Sequence, residues 1–78
     1  MYLAVKDVKT IDDYKLILTF EDDSVRIFDM KPLLGKGVFK ELKDEKLFKT
    51  VKVSFDSIEW ANGIDVDPET LYEDGVPI

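Results

Sequence analysis

Apolar and polar positions alternate through Tyr14–Phe20. Tyr14, Leu16, Leu18 and Phe20 fall on one face, with Lys15, Ile17 and Thr19 on the other. This predicts a half-buried strand. Glu21-Asp22-Asp23-Ser24 reads as a tight polar turn whose Asp residues tolerate left-handed backbone. Val25–Asp29 returns as the partner strand of a hairpin, with Val25 and Ile27 expected toward the core. Upstream, Leu3–Thr10 sets Leu3, Val5 and Val8 among charges and reads as a further strand, closed by a turn at Asp12-Asp13.

The period then lengthens. Met30-Lys31-Pro32-Leu33-Leu34 predicts a strand exit and one helical turn, because Lys31 precedes proline and Pro32 suits a first helical position. Val38–Thr50 reads as two helical pieces, with Val38, Phe39 and Leu42 on one apolar stripe and Leu47, Phe48 and Val51 on another. Asp44 is the expected N-cap of the second piece. Val51, Val53 and Phe55 alternate with Lys52 and Ser54, and Ile58 and Trp60 with Ser57 and Glu59. Asn62-Gly63 predicts a two-residue hairpin turn with positive φ at both residues, and Ile64 and Val66 form the return strand. Asp67-Pro68-Glu69-Thr70 predicts a helix start: a cap, a fixed φ, and an acid at the positive end of the dipole. Leu71 and Tyr72 pack this turn, Asp74-Gly75 ends it, and Val76-Pro77-Ile78 reads as a loose tail. Strands joined by tight turns, with short helices grouped between them, make the class α+β. We expect a small antiparallel sheet of two hairpin-type blocks, short helices on one face and a C-terminal helical turn.

At 78 residues the chain has room for one domain, residues 1–78, and one thin core. No apolar run has signal-peptide or membrane-span length, which fits a cytoplasmic protein without a membrane role. The net charge of −6 is uneven: residues 31–52 hold seven Lys against Glu41, Asp44 and Glu45, while residues 53–78 hold seven acids and no base. Two readings stand side by side: solvated faces that partly neutralise each other, or an acidic face offered to a basic protein. Direct nucleic-acid binding is disfavoured, since it needs a concentrated positive patch and only one arginine is present.

With no histidine and no cysteine, the common proton shuttle, thiolate nucleophile and zinc ligands are missing. Ser24, Ser54 and Ser57 have no imidazole to activate them. Asp65, Asp67 and Glu69 suggest an oxygen cage for a divalent cation, but Pro68 and the capping role of Asp67 break the loop pattern. Gly35-Lys36-Gly37 lacks the spacing of a phosphate loop. We therefore expect no enzyme, no catalytic residue, no metal and no cofactor.

The segment from Ile58 to Tyr72, with Trp60, Asn62, Gly63, Asp65, Pro68, Leu71 and Tyr72 in the pattern Trp-x-Asn-Gly-x-Asp-x-x-Pro-x-x-Leu-Tyr, resembles the signature of the DUF2442 family, small bacterial domains of unknown function. The hairpin Leu16–Asp29 and the run Gly37-Val38-Phe39…Leu42…Asp44…Phe48 are similar to its other blocks, so the likeness spans almost the whole chain. Two positions depart: Ala61 stands where proline is frequent, and Asp23 where glycine is usual. The resemblance implies an α+β fold and no established activity. It also implies, for longer members, a following helix-turn-helix domain, and by analogy a toxin–antitoxin-like arrangement with a neighbouring small protein. Asn62, Gly63, Asp67 and Pro68 have structural explanations as turn and cap. Trp60, Asp65 and Tyr72, with Glu59 beside them, are the candidate binding residues. Either Trp60 is buried and Tyr72 is bonded to Asp65 as a lock, or they edge a partner-binding surface. The expected function is a protein-interaction module, antitoxin-like or regulatory, using an acidic C-terminal face. The alternative is a small-ligand sensor with a pocket near Trp60. A homo-oligomer fits the small core and an exposed sheet edge.

Overall fold

The strand predicted from the alternation after Tyr14 forms the centre of the molecule. In a computed structural model, which describes residues 3–78, β2 (Lys15–Phe20) lies between β1 (Val5–Ile11) and β3 (Val25–Asp29). The last strand, β7 (Val76–Pro77), pairs with the far side of β3, and every pairing in this sheet is antiparallel. A second antiparallel sheet holds β4 (Lys52–Ser54), β5 (Ser57–Glu59) and β6 (Asp65–Val66). A 3-10 helix (Gly37–Lys43) and α1 (Glu45–Phe48) precede it in the chain, and α2 (Pro68–Asp74) follows. The class is α+β. The two hairpin blocks are separate sheets, bridged where the Val5 N–H donates to the Asp56 carbonyl at 2.9 Å.

Local chemistry accounts for the helix starts. Asp44 accepts from the Lys46 N–H at 3.0 Å and Asp67 from the Glu69 N–H at 2.9 Å, each satisfying a donor that the first helical turn leaves free. Pro68 occupies the first turn of α2, where its missing N–H costs nothing.

Leu16, Leu18 and Phe20 are fully buried and form a core with Phe28, Met30, Leu42, Phe48, Ile58, Trp60 and Leu71. Register corrects one expectation. Leu16 lies opposite Phe28 and Leu18 opposite Arg26, so the inward side chains of β3 are Arg26 and Phe28. Val25 and Ile27 lie opposite Thr19 and Ile17, on the outer face. Val25-Arg26-Ile27-Phe28 holds apolar residues in both phases, and only pairing with β2 decides which phase turns inward. Tyr14 is also displaced from its predicted strand. It sits in the turn at φ 58°, its hydroxyl donates to the Lys43 carbonyl, and its ring packs edge-on against Phe48, with centroids 5.2 Å apart.

The C-terminal segment is a second correction. It is a strand, with Val76 opposite Ile27 and the Ile78 N–H donating to the Val25 carbonyl at 3.1 Å. Gly75 makes this return possible through its lack of volume. Its φ is −73°, open to any residue, but a Cβ there would stand 2.6 Å from the Leu71 carbonyl oxygen and 3.1 Å from the Cβ of Arg26. Gly75→Ala is expected to destabilise the domain by about 1–3 kcal/mol. The test is urea denaturation together with amide exchange, in which the Ile78 N–H should lose protection first.

Exposed ion pairs tie the turns of the first sheet together. Lys6 pairs with Asp23, and Lys31 with Asp13. Lys31 holds the Asp13 carboxyl below the ordinary value of 3.8, and the Ser24 hydroxyl and N–H do the same for Asp22. Lys6 and Lys31 are raised above 10.5, chiefly by their hydrogen bonds to Asp23 and Asp13. The depressed carboxyls contribute stability that is full above their unfolded pKa and lost as pH falls through the folded one. The raised lysines contribute stability that is full below 10.5 and lost as pH rises through their folded values. From these groups, stability should be level from about pH 5 to about pH 10 and fall on both sides. The amplitude should be small and should shrink with added salt, because the pairs are solvent-exposed. Chemical denaturation at stepped pH and salt measures it.

Candidate functional site

The predicted binding residues separate into interior and surface. Trp60 is 1% exposed, its indole N–H donates to the Phe48 carbonyl at 2.9 Å, and its ring leans on Phe48 with centroids 6.1 Å apart. It is a core residue and edges no surface. Tyr72 packs edge-on against Phe20 at 5.1 Å, and the guanidinium of Arg26 lies 3.9 Å from its ring centroid. Among the described residues no hydrogen bond joins Tyr72 to Asp65. Tyr72 does act in a lock, but its partner is Arg26, which also donates from Nη1 to the Gly75 carbonyl at 3.1 Å. The strand register carries the chain's one arginine to this spot, opposite Leu18.

Glu59 and Asp65 do come together. They face each other across β5 and β6, while their neighbours Ile58 and Val66 pair on the buried side. Like charges directly opposite in a sheet are unfavourable. Lys52 lies opposite Glu59 on its other flank, yet no ion pair within 4.0 Å joins them among the described residues. Asp67 and Glu69 continue the acidic edge into α2. With Phe55 and Pro68 these four carboxylates line an open groove of about 550 Å³, in which, among the described residues, they are the only charged side chains.

The turn beside this groove reverses the sequence expectation. Asn62 has no positive φ; only Gly63 does, at 89°, and the Asn62 side chain accepts from the Ile64 N–H at 3.2 Å. The two-residue turn with both φ positive lies between β4 and β5, at Phe55 (47°) and Asp56 (67°), closed by Ser54 opposite Ser57. Phe55 is therefore a turn residue, and 98% of it is exposed. A bulky residue in left-handed backbone costs of order 1–3 kcal/mol and persists only where the surroundings impose it. The sequence carries a signal for this turn. The apolar phase shifts from odd positions at Val51 and Val53 to even positions at Ile58 and Trp60, and such a shift requires a break between them.

Chemically the groove offers carboxylates and an aromatic ring. The Ser57 hydroxyl is spent on the Val66 carbonyl. Among the described residues no group of three or more His, Cys, Asp or Glu is placed to hold a metal ion. No helix among them is long and apolar enough to cross a membrane. Two further grooves lie elsewhere, one beside Asp13 and Tyr14 and one along the edge of β3, and Trp60 lines none of the three. Residues 5–77 match the family model described as "Protein of unknown function (DUF2442)". No curated protein and no solved structure matches the chain.

Proposed function

The chain belongs to the DUF2442 family of proteins of unknown function, and we propose that it is a non-enzymatic protein-interaction module that takes a basic segment of a partner protein into its acidic groove. The observation that carries this reading is Phe55. A fully exposed aromatic ring, held in a costly backbone conformation, stands at the rim of a groove whose charged lining, among the described residues, is carboxylate. Exposed aromatics of this kind are typical anchors of protein interfaces, and the surrounding carboxylates supply steering and selectivity for cationic side chains. The Glu59–Asp65 juxtaposition is relieved when a cation lies between or above them. An antitoxin-like or regulatory role in the cytoplasm, with a basic protein as target, is the biology that such a surface suits.

The alternative, a small-ligand sensor built around Trp60, has less support: the indole is enclosed by the core and its N–H is already bonded. The test is titration calorimetry with short Lys/Arg-rich peptides that carry one apolar residue, against acidic peptides of the same length. Binding should be confined to the basic set, weaken as salt rises through the physiological range, and be lost in Glu59→Lys and Asp65→Lys. Indifference to salt, or equal binding of both sets, would sink the reading.

A further inference from the structure

A sheet with one solvated face normally alternates apolar inward with polar outward. The first sheet departs from this. Its outer face is a grid fixed by the register: Asp7, Thr19 and Val25 in one row, Lys9, Ile17, Ile27 and Val76 in the next, and Ile11, Lys15 and Asp29 in the third. Alternation along the last strand carries Ile78 to the same side, beside Val25. The middle of this face is thus Ile17, Val25 and Ile27, flanked by Val76 at 66% exposure and Ile78 at 75%. The three helices and the second sheet pack on the opposite, inward face through Leu42, Phe48, Leu71 and Ile58. The central strands therefore read as strands meant for burial on both sides, while among the described residues only one side is covered.

We infer that this outer face is a homodimer interface, on which a second copy of the chain packs sheet against sheet. Charge selects this occupant. The molecule carries −6 overall, and outside the Lys-rich residues 31–52 its charge is mostly acidic, so two copies repel where those acidic surfaces face each other. The outer face holds two acids, Asp7 and Asp29, and two bases, Lys9 and Lys15, and is the neutral face through which like copies can meet. A basic partner has no such reason to choose it over the acidic groove. Size agrees. Three outward positions on each of β1, β2 and β3 and two at the end of the chain, at ordinary strand spacing, cover roughly 350–400 Å² in plan per copy. With the relief of the side chains this approaches a tenth of the 4891 Å² accessible surface, and two copies together bury on the order of 1,000 Å². That is the lower bound for a specific pair, so a weak to moderate dimer is expected. The face runs on into the groove of about 600 Å³ along β3, lined in part by Ile27, Val76 and Leu33, which extends the apolar area.

Sedimentation equilibrium of the full chain from about 1 µM to about 1 mM should show a monomer–dimer equilibrium. Because the interface is apolar, added salt should leave it unchanged or strengthen it, opposite to the acidic groove. Ile27→Lys should weaken the dimer at least tenfold, and Thr19→Lys should do the same if the first variant folds poorly, with Trp60 fluorescence and circular dichroism reporting the fold. Phe55→Asn should leave the association constant as it is, which separates this interface from the peptide groove. A chain monomeric at every concentration overturns the inference, and so does a dimer that survives both lysine variants.

Discussion

Trp60→Ala is expected to remove most of the stability of the domain, leaving it at or near its unfolding midpoint at room temperature. Truncating a fully buried aromatic costs about 3–5 kcal/mol. The loss of the indole N–H adds about 1–3 kcal/mol by stranding the buried Phe48 carbonyl that it serves. A domain of 78 residues has only about 4–12 kcal/mol in total. Trp60→Phe separates the two parts, since it keeps most of the ring and removes only the donor; about 1–3 kcal/mol is expected there. Far-UV circular dichroism in a urea series measures both, because the substitution removes the sole tryptophan as a fluorescent reporter. In the unaltered chain the emission should be blue-shifted and should move to the red on unfolding, as befits a ring 1% exposed. A folded Trp60→Ala chain with near-native stability would contradict the packing described above.

Phe55→Asn moves stability and binding in opposite directions. Asn is at ease in left-handed backbone and Phe is not, and the exposed ring has no packing to lose. The substitution should raise stability by about 1 kcal/mol. Removing the anchor should weaken the basic-peptide complex by about 2 kcal/mol, roughly thirtyfold. Most substitutions destabilise, so a gain at an exposed position marks a site where the native residue serves something other than the fold. A loss of stability, or an unchanged affinity, would show that the ring is neither strained nor an anchor.

The features legible in the sequence were those governed by neighbours in the chain. The β2 alternation, the Asp44 and Asp67 caps, Pro68 at a helix start and the acidic last third each depend on a few adjacent residues, and each holds in the structure. Even the Asp23 departure from the family pattern is intelligible this way, since Asp23 takes the left-handed φ of 68° at which glycine is usual. Glu59 and Asp65 do meet across two strands. Trp60 and Tyr72, close to them in sequence, pack elsewhere, because proximity along the chain is not proximity in space.

Long-range pairing decided the rest. Only register against β2 sends Phe28 inward and leaves Val25 and Ile27 on an open face. Only the approach of Gly75 to Leu71 and Arg26 turns the last residues into a strand. Only the three-dimensional placement of α2 pairs Tyr72 with Arg26, the chain's single arginine, and not, among the described residues, in a hydrogen bond with Asp65. The sequence by itself determined the class, the caps and the sign of the surface, because propensity and charge are local properties. The tertiary structure alone decided which apolar residues are core and which stand exposed at Phe55 and on the outer sheet face, because strand pairing is a contest between distant segments.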